Sequence, residues 1–456
     1  MQAQPIWLTK EDILYPPLRG RQQADVVVVG GGLCGLHTAY MLAKAGLRVV
    51  LLEADRLGKG ASFLTTAKVT VQHGLIYSSL TARWGQEVAQ GYALSQQKAL
   101  NAMDSLVREL DIPCSWTWQE DSLVAVTPKE ESLLQKEAEA ARAAGLIVSL
   151  KPESGCPFPV RSELTISSQA MFDPVAYLSS LAEAFCALGG RIYEHSRVDA
   201  MDTESASTKS GSIRAPFMVI ATHAPIINFP GWYFLRAAQR RSHVVALEEA
   251  PAFQGMYQHI APGGFSLRNH GALTLLEGFQ YRCGTQARMP HGEQLLHKAV
   301  ELFPGSNPVA AWHSQDLYSA DGLPFIGPYS RRTPSLFVAT GFAKWGMTNS
   351  MAAALAIRAR ILGEPLMEFQ IFDPARNFMR SIFPILSLEA RILAARLTGF
   401  ARHSAPRCSH MGCKLKYVPS TGTWDCPCHG SRFDGIGRIE NGPAVKPARI
   451  RNKNRI

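Results

Sequence analysis

The 456-residue chain contains no uninterrupted run of eighteen apolar residues, so a membrane-spanning helix is not expected. Residues 1–20 lack the apolar centre of a secretory signal and instead hold Lys10, Glu11, Asp12 and three prolines. The protein is therefore expected in the cytoplasm. Charged residues amount to only 18% against 46% apolar residues, which argues against a disordered or fibrous chain. Acidic residues are in deficit, 37 against 47 Lys and Arg, for a formal net charge of +10. Most of the excess lies at one end: residues 404–456 hold ten Lys or Arg and three Asp or Glu, a net of +7. A tail of that sign suits an acidic redox partner, an anionic surface or simple solubility. Nucleic acid is not expected as the partner.

Two further scarcities direct the reading. The spacing G-x-G-x-x-G occurs once, at Gly30, Gly32 and Gly35, so a second dinucleotide of the same kind is not expected. Cysteines number nine, and Cys34, Cys114, Cys156, Cys186 and Cys283 are scattered singly as small buried residues would be. The other four, Cys408, Cys413, Cys426 and Cys428, fall within 21 residues. In a reducing compartment such a cluster points to metal before disulfides.

The glycine motif stands in the context that gives it meaning. Val26–Val29 is a β-branched run of the kind buried on both faces of a parallel sheet, and Leu36–Ala45 has helical composition. Arg48–Glu53 reads as the next strand, ending in an acid 18 residues after Gly35. Gly30 permits the tight turn, Gly32 lets the backbone approach a pyrophosphate, and Gly35 allows helix and strand to pack closely. The helix N-terminus offers free N–H groups to phosphate, and Glu53 can accept from a ribose hydroxyl.

The segments that follow, Gly58-Lys59-Gly60-Ala61-Ser62 and Thr65-Thr66-Ala67-Lys68-Val69-Thr70, resemble the amino-acid and amine oxidase superfamily of FAD-dependent oxidoreductases, the DAO-like enzymes. Three later segments carry the same resemblance: residues 217–225, the Asp321-Gly322-Leu323-Pro324-Phe325-Ile326-Gly327 turn, and Gly341–Ser350 before an Ala-rich helix at Met351–Ile357. The resemblance implies FAD as cofactor, with Gly60, Ser62 and Thr66 crossing its phosphates and ribitol. Ala221 and Thr222 would close the nucleotide site. Gly346, Met347 and Thr348 would lie at a helix start facing the flavin pyrimidine, with Thr348, Asn349 and Ser350 as cap-type residues. It also implies a discontinuous α/β, Rossmann-like FAD-binding domain (residues 1–75, 161–225 and 316–365) and an α+β substrate domain (76–160 and 226–315). In the latter, Tyr77–Leu110 reads as paired helices, and Asp121–Val126 and Leu273–Leu276 as strands.

Residues 366–403 read as a helical linker, with Pro384 opening a segment whose Leu386, Leu393 and Leu397 share a face and whose Arg391, Arg396 and Arg402 lie elsewhere. Residues 404–456 carry Cys408-x-His410, then Cys426-x-x-His429. A Cys₂His₂ set is a legitimate zinc site, but zinc fingers keep cysteine and histidine pairs apart. One thiolate and one imidazole from each short turn suits a [2Fe–2S] cluster with Cys408 and Cys426 on one iron and His410 and His429 on the other. The Cys-Ser-His-Met-Gly-Cys and Cys-Pro-Cys-His-Gly-Ser boxes, with Gly442-Pro443-Ala444, resemble the Rieske family. That resemblance implies a small all-β domain, a disulfide between Cys413 and Cys428, and Ser431 near a bridging sulfide. Phe433 stands where high-potential members carry Tyr, which implies a lower potential within the Rieske range.

Together the two resemblances imply an FAD-dependent dehydrogenase acting on a C–N bond of a small amine or amino acid. Electrons would pass singly from the reduced flavin to the cluster and on to an external one-electron acceptor protein. The alternative is a flavin and iron–sulfur electron-transfer protein reduced by a partner. No catalytic base is assigned. Lys344 and Arg268 are candidates for meeting a substrate carboxylate, and His73 is a weak candidate for covalent flavin attachment. Asp173 stands in the Phe172-Asp173-Pro174 triplet where the resembling family often has His.

Overall fold

The computed structural model describes residues 3–7, 14–152, 155–285, 289–365, 367–376, 378–400 and 405–450. Its centre is a six-stranded sheet ordered Phe325–Ser330, Thr333–Thr340, Phe217–Ile220, Val26–Val29, Val49–Leu52, Arg191–Tyr193. The last five strands run parallel, and only the first pair is antiparallel. Every residue of Val26–Val29 and Val49–Leu52 is buried, as two-sided burial requires. Strand alternation divides them: Val26 and Val28 join the core beneath helices Leu33–Lys44 and Gly346–Leu362. Val27 and Val29 face the opposite way, towards Ala206 and Ile213 of a small four-stranded sheet that caps the other side.

A nine-stranded sheet forms the second layer, built mainly by Thr117–Ala125, Ser162–Met171, Ala237–Glu248, Leu273–Arg282 and Asn307–Ser319. The paired helices are Ile76–Trp84 and Gln86–Glu109. One segment departs from its expected place. Ser162–Met171, assigned from the sequence to the nucleotide-binding part at 161–225, pairs antiparallel with Thr117–Ala125 along its length. Leu164 and Ala170 are thereby buried in the same core as Leu123 and Ala125. The two-residue strand Lys68–Val69, from the expected 1–75 part, also extends this sheet.

The C-terminal segment forms a separate antiparallel meander, Lys416–Val418, Thr423–Asp425, Arg432–Phe433, Ile439–Asn441. Helix Ile382–Phe400 precedes it and begins two residues before Pro384. Its buried face differs from the expected one. Ile385 and Ile392 are buried and Leu388 packs on the C-terminal core, whereas Leu386 and Leu393 are 57% and 58% exposed. The spacing i, i+3, i+7 of Ile385, Leu388 and Ile392 fits a helical stripe as well as the leucine spacing does, and contact with the C-terminal domain selects it. The Leu397 side chain, Arg402 and the 403/404 boundary lie outside the described residues, as do Arg451, Lys453 and Arg455 of the basic tail. Among the described residues, no helix is long and apolar enough to cross a membrane.

Candidate functional site

The strand-to-helix turn after Val29 forms one end of a cavity of about 560 Å³. Gly30 takes φ +112°, and a Cβ there would overlap the Ala221 carbonyl oxygen; a Cβ on Gly35 would overlap the Gly30 carbonyl oxygen. These two glycines let the helix start against the strand ends without obstruction. No side chain caps helix Leu33–Lys44 at Gly32, although the Leu33 N–H donates to Ser62 Oγ at 2.8 Å. Glu53 ends its strand at the same mouth, its Oε2 accepting from the Gly31 N–H at 2.6 Å and its Oε1 from the Asp55 N–H at 2.8 Å. Burial raises its carboxyl above the ordinary carboxylate value, opposed by these backbone hydrogen bonds.

Gly30, Gly32, Glu53, Gly60, Ser62, Thr66, Ala221, Thr222, Gly346 and Met347 all line this one cavity. Gly35 lies behind it, against Gly30. Thr348 is a correction: it is buried away from the cavity lining and donates to the Thr70 carbonyl at 3.3 Å. The helix starts at Gly346, five residues before the expected Met351, so Thr348, Asn349 and Ser350 occupy its first turn. No side chain caps that N-terminus.

His73 is also absent from the lining. Its Nδ1 meets Tyr92 Oη at 2.5 Å and its Nε2 the Thr70 carbonyl at 2.8 Å. Asp173 is a helix cap, accepting from the Val175 and Ala176 N–H groups. Arg268 is 1% exposed and donates to the Ala67 carbonyl at 2.8 Å, so it does not reach the cavity. Lys344 does line it, paired with Glu277 at 2.8 Å.

The opposite wall is built from two distant parts of the chain. The nine-stranded sheet contributes Glu277, Ser314 and Asp316, and the C-terminal domain contributes Ile439, Glu440, Asn441, Gly442, Ala444 and Val445. Apart from Gly442 and Ala444, which stand in the Rieske-like loop, no local pattern marks these residues, and all of them reach the cavity only through long-range docking.

The second site lies in two short turns of the C-terminal domain, closed by Gly412 N–H to the Cys408 carbonyl (2.9 Å) and Gly430 N–H to the Cys426 carbonyl (3.0 Å). The sulfurs of Cys413, Cys426 and Cys428 lie within 4.8 Å of one another, and the Cys408 thiol is hydrogen-bonded to Cys426. The rings of His410 and His429 stand edge to face with centroids 5.0 Å apart. Among the described residues, His410 Nδ1 and both nitrogens of His429 are buried without a hydrogen-bond partner. Unpaired buried imidazole nitrogens in the same two turns as a knot of cysteine sulfurs fit a metal–sulfur centre.

The expected Cys413–Cys428 disulfide is not present: neither cysteine is disulfide-bonded. A disulfide needs sulfurs about 2.05 Å apart; here the two sulfurs are hydrogen-bonded to each other and both meet Arg396, and the neighbouring thiols, with Arg396 after them, push the Cys413 sulfur towards thiolate. Ser431 Oγ accepts from the Ala444 N–H at 3.1 Å, tying the Gly442-Pro443-Ala444 loop to the second turn. Phe433 is fully buried.

This domain is clamped to the rest of the chain. Arg241 Nη1 meets Asp425 Oδ2 at 2.8 Å with both side chains buried. Gln239 Nε2 donates to the carbonyls of His429 and Gly442, and Gln315 Nε2 to that of Gly430. His410 Nε2 is 2.7 Å from Asn228 Oδ1, and Phe234 lies edge-on to both imidazoles.

Comparison with known proteins agrees with this geometry. The family model described as FAD dependent oxidoreductase matches residues 25–360, and that described as Rieske [2Fe-2S] domain matches residues 390–452. The chain belongs to the FAD dependent oxidoreductase family. It joins that family's fold to a C-terminal Rieske domain and takes FAD and a [2Fe–2S] cluster as cofactors. The Rieske 2Fe-2S iron-sulfur protein YhfW of Bacillus subtilis (strain 168) is 31% identical over 97% of this chain and 96% of its own. Gamma-glutamylputrescine oxidoreductase of Escherichia coli (strain K12) is 26% identical over 44% of this chain and 49% of its own. The crystal structure of glycine oxidase from Geobacillus kaustophilus shares the fold, with TM-score 0.66 and 22% identity, covering 78% of this chain and 99% of that one.

Proposed function

We propose that this oxidoreductase is a dehydrogenase that oxidises a small amine or amino acid at a C–N bond and delivers the electrons through its own Rieske centre to an external one-electron acceptor. A flavin takes two electrons as a hydride, whereas a Rieske centre passes one at a time at a potential above that of plant-type ferredoxins. The observation that carries the reading is the shared wall: residues 439–442, 444 and 445 of the Rieske domain line the cavity that also holds the glycine turn and Glu53. Relatives named for glycine and for gamma-glutamylputrescine support a C–N bond as the target.

In this reading Gly30, Gly32 and the open start of helix Leu33–Lys44 take the pyrophosphate, and Glu53 takes the ribose. Cys408 and Cys426 hold one iron, and His410 and His429 hold the other through Nδ1. Asn228 Oδ1 accepts from His410 Nε2, which leaves the Nδ1 lone pair free for metal. Gln239, Gln315 and Arg241 keep the Rieske domain seated, so transfer stays within one molecule. The basic C-terminal domain favours an acceptor with an acidic face.

The test is an anaerobic titration of the fully loaded protein with a panel of amines and amino acids, following flavin absorbance and the cluster's EPR signal together. Bleaching of the flavin followed by the reduced-cluster signal supports the reading. Reduction by a partner protein alone, with no small molecule effective, would favour an electron-transfer protein. Rapid peroxide formation unaffected by Cys426→Ser would make it an oxidase.

A further inference from the structure

The cavity wall supplied by the nine-stranded sheet carries two carboxyls, Glu277 and Asp316, with Lys344 on the turn before helix Gly346–Leu362. Strand Asn307–Ser319 is joined to that turn, since the Ala343 N–H donates to the Leu317 carbonyl at 2.9 Å and Tyr318 bridges to Phe342. Asp316 is therefore held beside the segment that the family resemblance puts at the flavin ring.

Lys344 and Glu277 neutralise each other on this wall and leave the Asp316 carboxyl over. Lys344 Nζ is committed to Glu277 Oε1 at 2.8 Å, and Ser242 Oγ donates to the same oxygen at 2.7 Å. Asp316, only partly exposed, has no side-chain hydrogen bond or ion pair among the described residues, and Lys344 acts on it only through space. Arg240, its cross-strand partner, is exposed, lies 5.0 Å over the Tyr318 ring and donates to Gln280. The other cations of the cavity are occupied on the dinucleotide loop: Arg56 meets Glu194, Lys59 sits 4.9 Å over the Phe63 ring, and Arg197 acts on Glu53. Burial, and after it the Glu277 charge, pushes the Asp316 carboxyl up to about 8, with the Lys344 charge acting the other way.

We infer that Asp316 binds the ammonium group of the substrate, and that the substrate class is an amine recognised as a cation, without an α-carboxylate. When an ammonium enters, the Asp316 carboxyl releases its proton to solvent and the resulting carboxylate gains an opposite charge in a largely desolvated wall, while the cation already present is neutralised by Glu277. A substrate carboxylate would face Asp316 and Glu277 with no uncommitted cation on this wall. The inference rests on the dehydrogenase reading for its chemistry, but the binding site can be tested separately.

The experiment titrates the oxidised, FAD- and cluster-loaded full chain with tetramethylammonium chloride or sodium acetate at constant ionic strength, following the flavin visible spectrum. Tetramethylammonium is expected to perturb the wild-type spectrum saturably, at least ten-fold more weakly in Asp316→Asn and with affinity restored in Asp316→Glu; acetate is expected to have no effect. Asp316→Ser repeats the comparison should Asp316→Asn fail to hold FAD. Equal tetramethylammonium affinity in wild type and Asp316→Asn, or a saturable response to acetate alone, overturns the inference. A parallel anaerobic addition of butylamine separates the two ideas. Binding through Asp316 with no flavin bleaching by any amine sinks the dehydrogenase and keeps the site. Bleaching that is equally efficient in Asp316→Asn keeps the dehydrogenase and sinks the site.

Discussion

Replacing Arg241 by Met tests how the Rieske domain is held. The Arg241 side chain is fully buried and donates from Nη1 to Asp425 Oδ2 at 2.8 Å and from Nη2 to Gln315 Oε1 at 2.9 Å. Removing one partner of a buried ion pair leaves the other charge uncompensated and costs about 3–5 kcal/mol. Here Arg432 Nε remains 3.6 Å from Asp425 Oδ1, so the lower end applies, about 3 kcal/mol. That is a shift of roughly two decades in the docking equilibrium. Hydrogen exchange measures it at the strands Thr423–Asp425 and Arg432–Phe433. Amides there should exchange about 100-fold faster in Arg241→Met, while those of Val26–Val29 keep their protection. The double variant Arg241→Met with Asp425→Leu removes both charges and should recover most of the loss. Exchange within three-fold of wild type in the single variant would refute the claim that this pair clamps the domain.

Other outcomes follow from the same contacts. Gly35→Ala drives a Cβ into the Gly30 carbonyl, so FAD content should fall below about a tenth of wild type while the Rieske EPR signal persists. Both nitrogens of His73 are hydrogen-bonded within the protein, so acid precipitation should release the FAD into the supernatant; retention on the precipitate would contradict this. Burial pushes His37 down to about 3, below its unfolded value near 6.5. The unfolded chain therefore binds the proton first, and stability should be lost as pH falls from about 6.5 towards 3, by about 2 kcal/mol at pH 5 for this residue. His37→Gln should flatten that acid limb in urea titrations.

Much of this was legible because the chemistry sits in short contiguous segments. Four consecutive valines can be buried on both sides only in a covered parallel strand. The Gly30, Gly32, Gly35 spacing works only where a strand turns directly into a helix, and both are where the pattern requires. Two Cys/His turns likewise bring their donors together without help from the fold. What escaped depends on distant partners. Ser162–Met171 joined the other sheet because Thr117–Ala125 offers a long antiparallel edge, which no property of residues 162–171 announces. Helix Ile382–Phe400 carries two candidate apolar stripes, and docking rather than periodicity decides between them. Asp316 is one acid in a strand until Glu277 and Lys344 are brought beside it. The Cys413–Cys428 pairing came from resemblance, and in this chain the two cysteines are not joined.

The central claim is that flavin and cluster exchange electrons inside one polypeptide. Anaerobic stopped-flow reduction of the flavin, with the cluster followed at its own absorbance, tests it most directly across a range of protein concentrations. The account predicts that cluster reduction follows flavin bleaching with a first-order rate that does not change on dilution. A rate that falls in proportion to protein concentration, or a cluster that stays oxidised beside a bleached flavin, would contradict it.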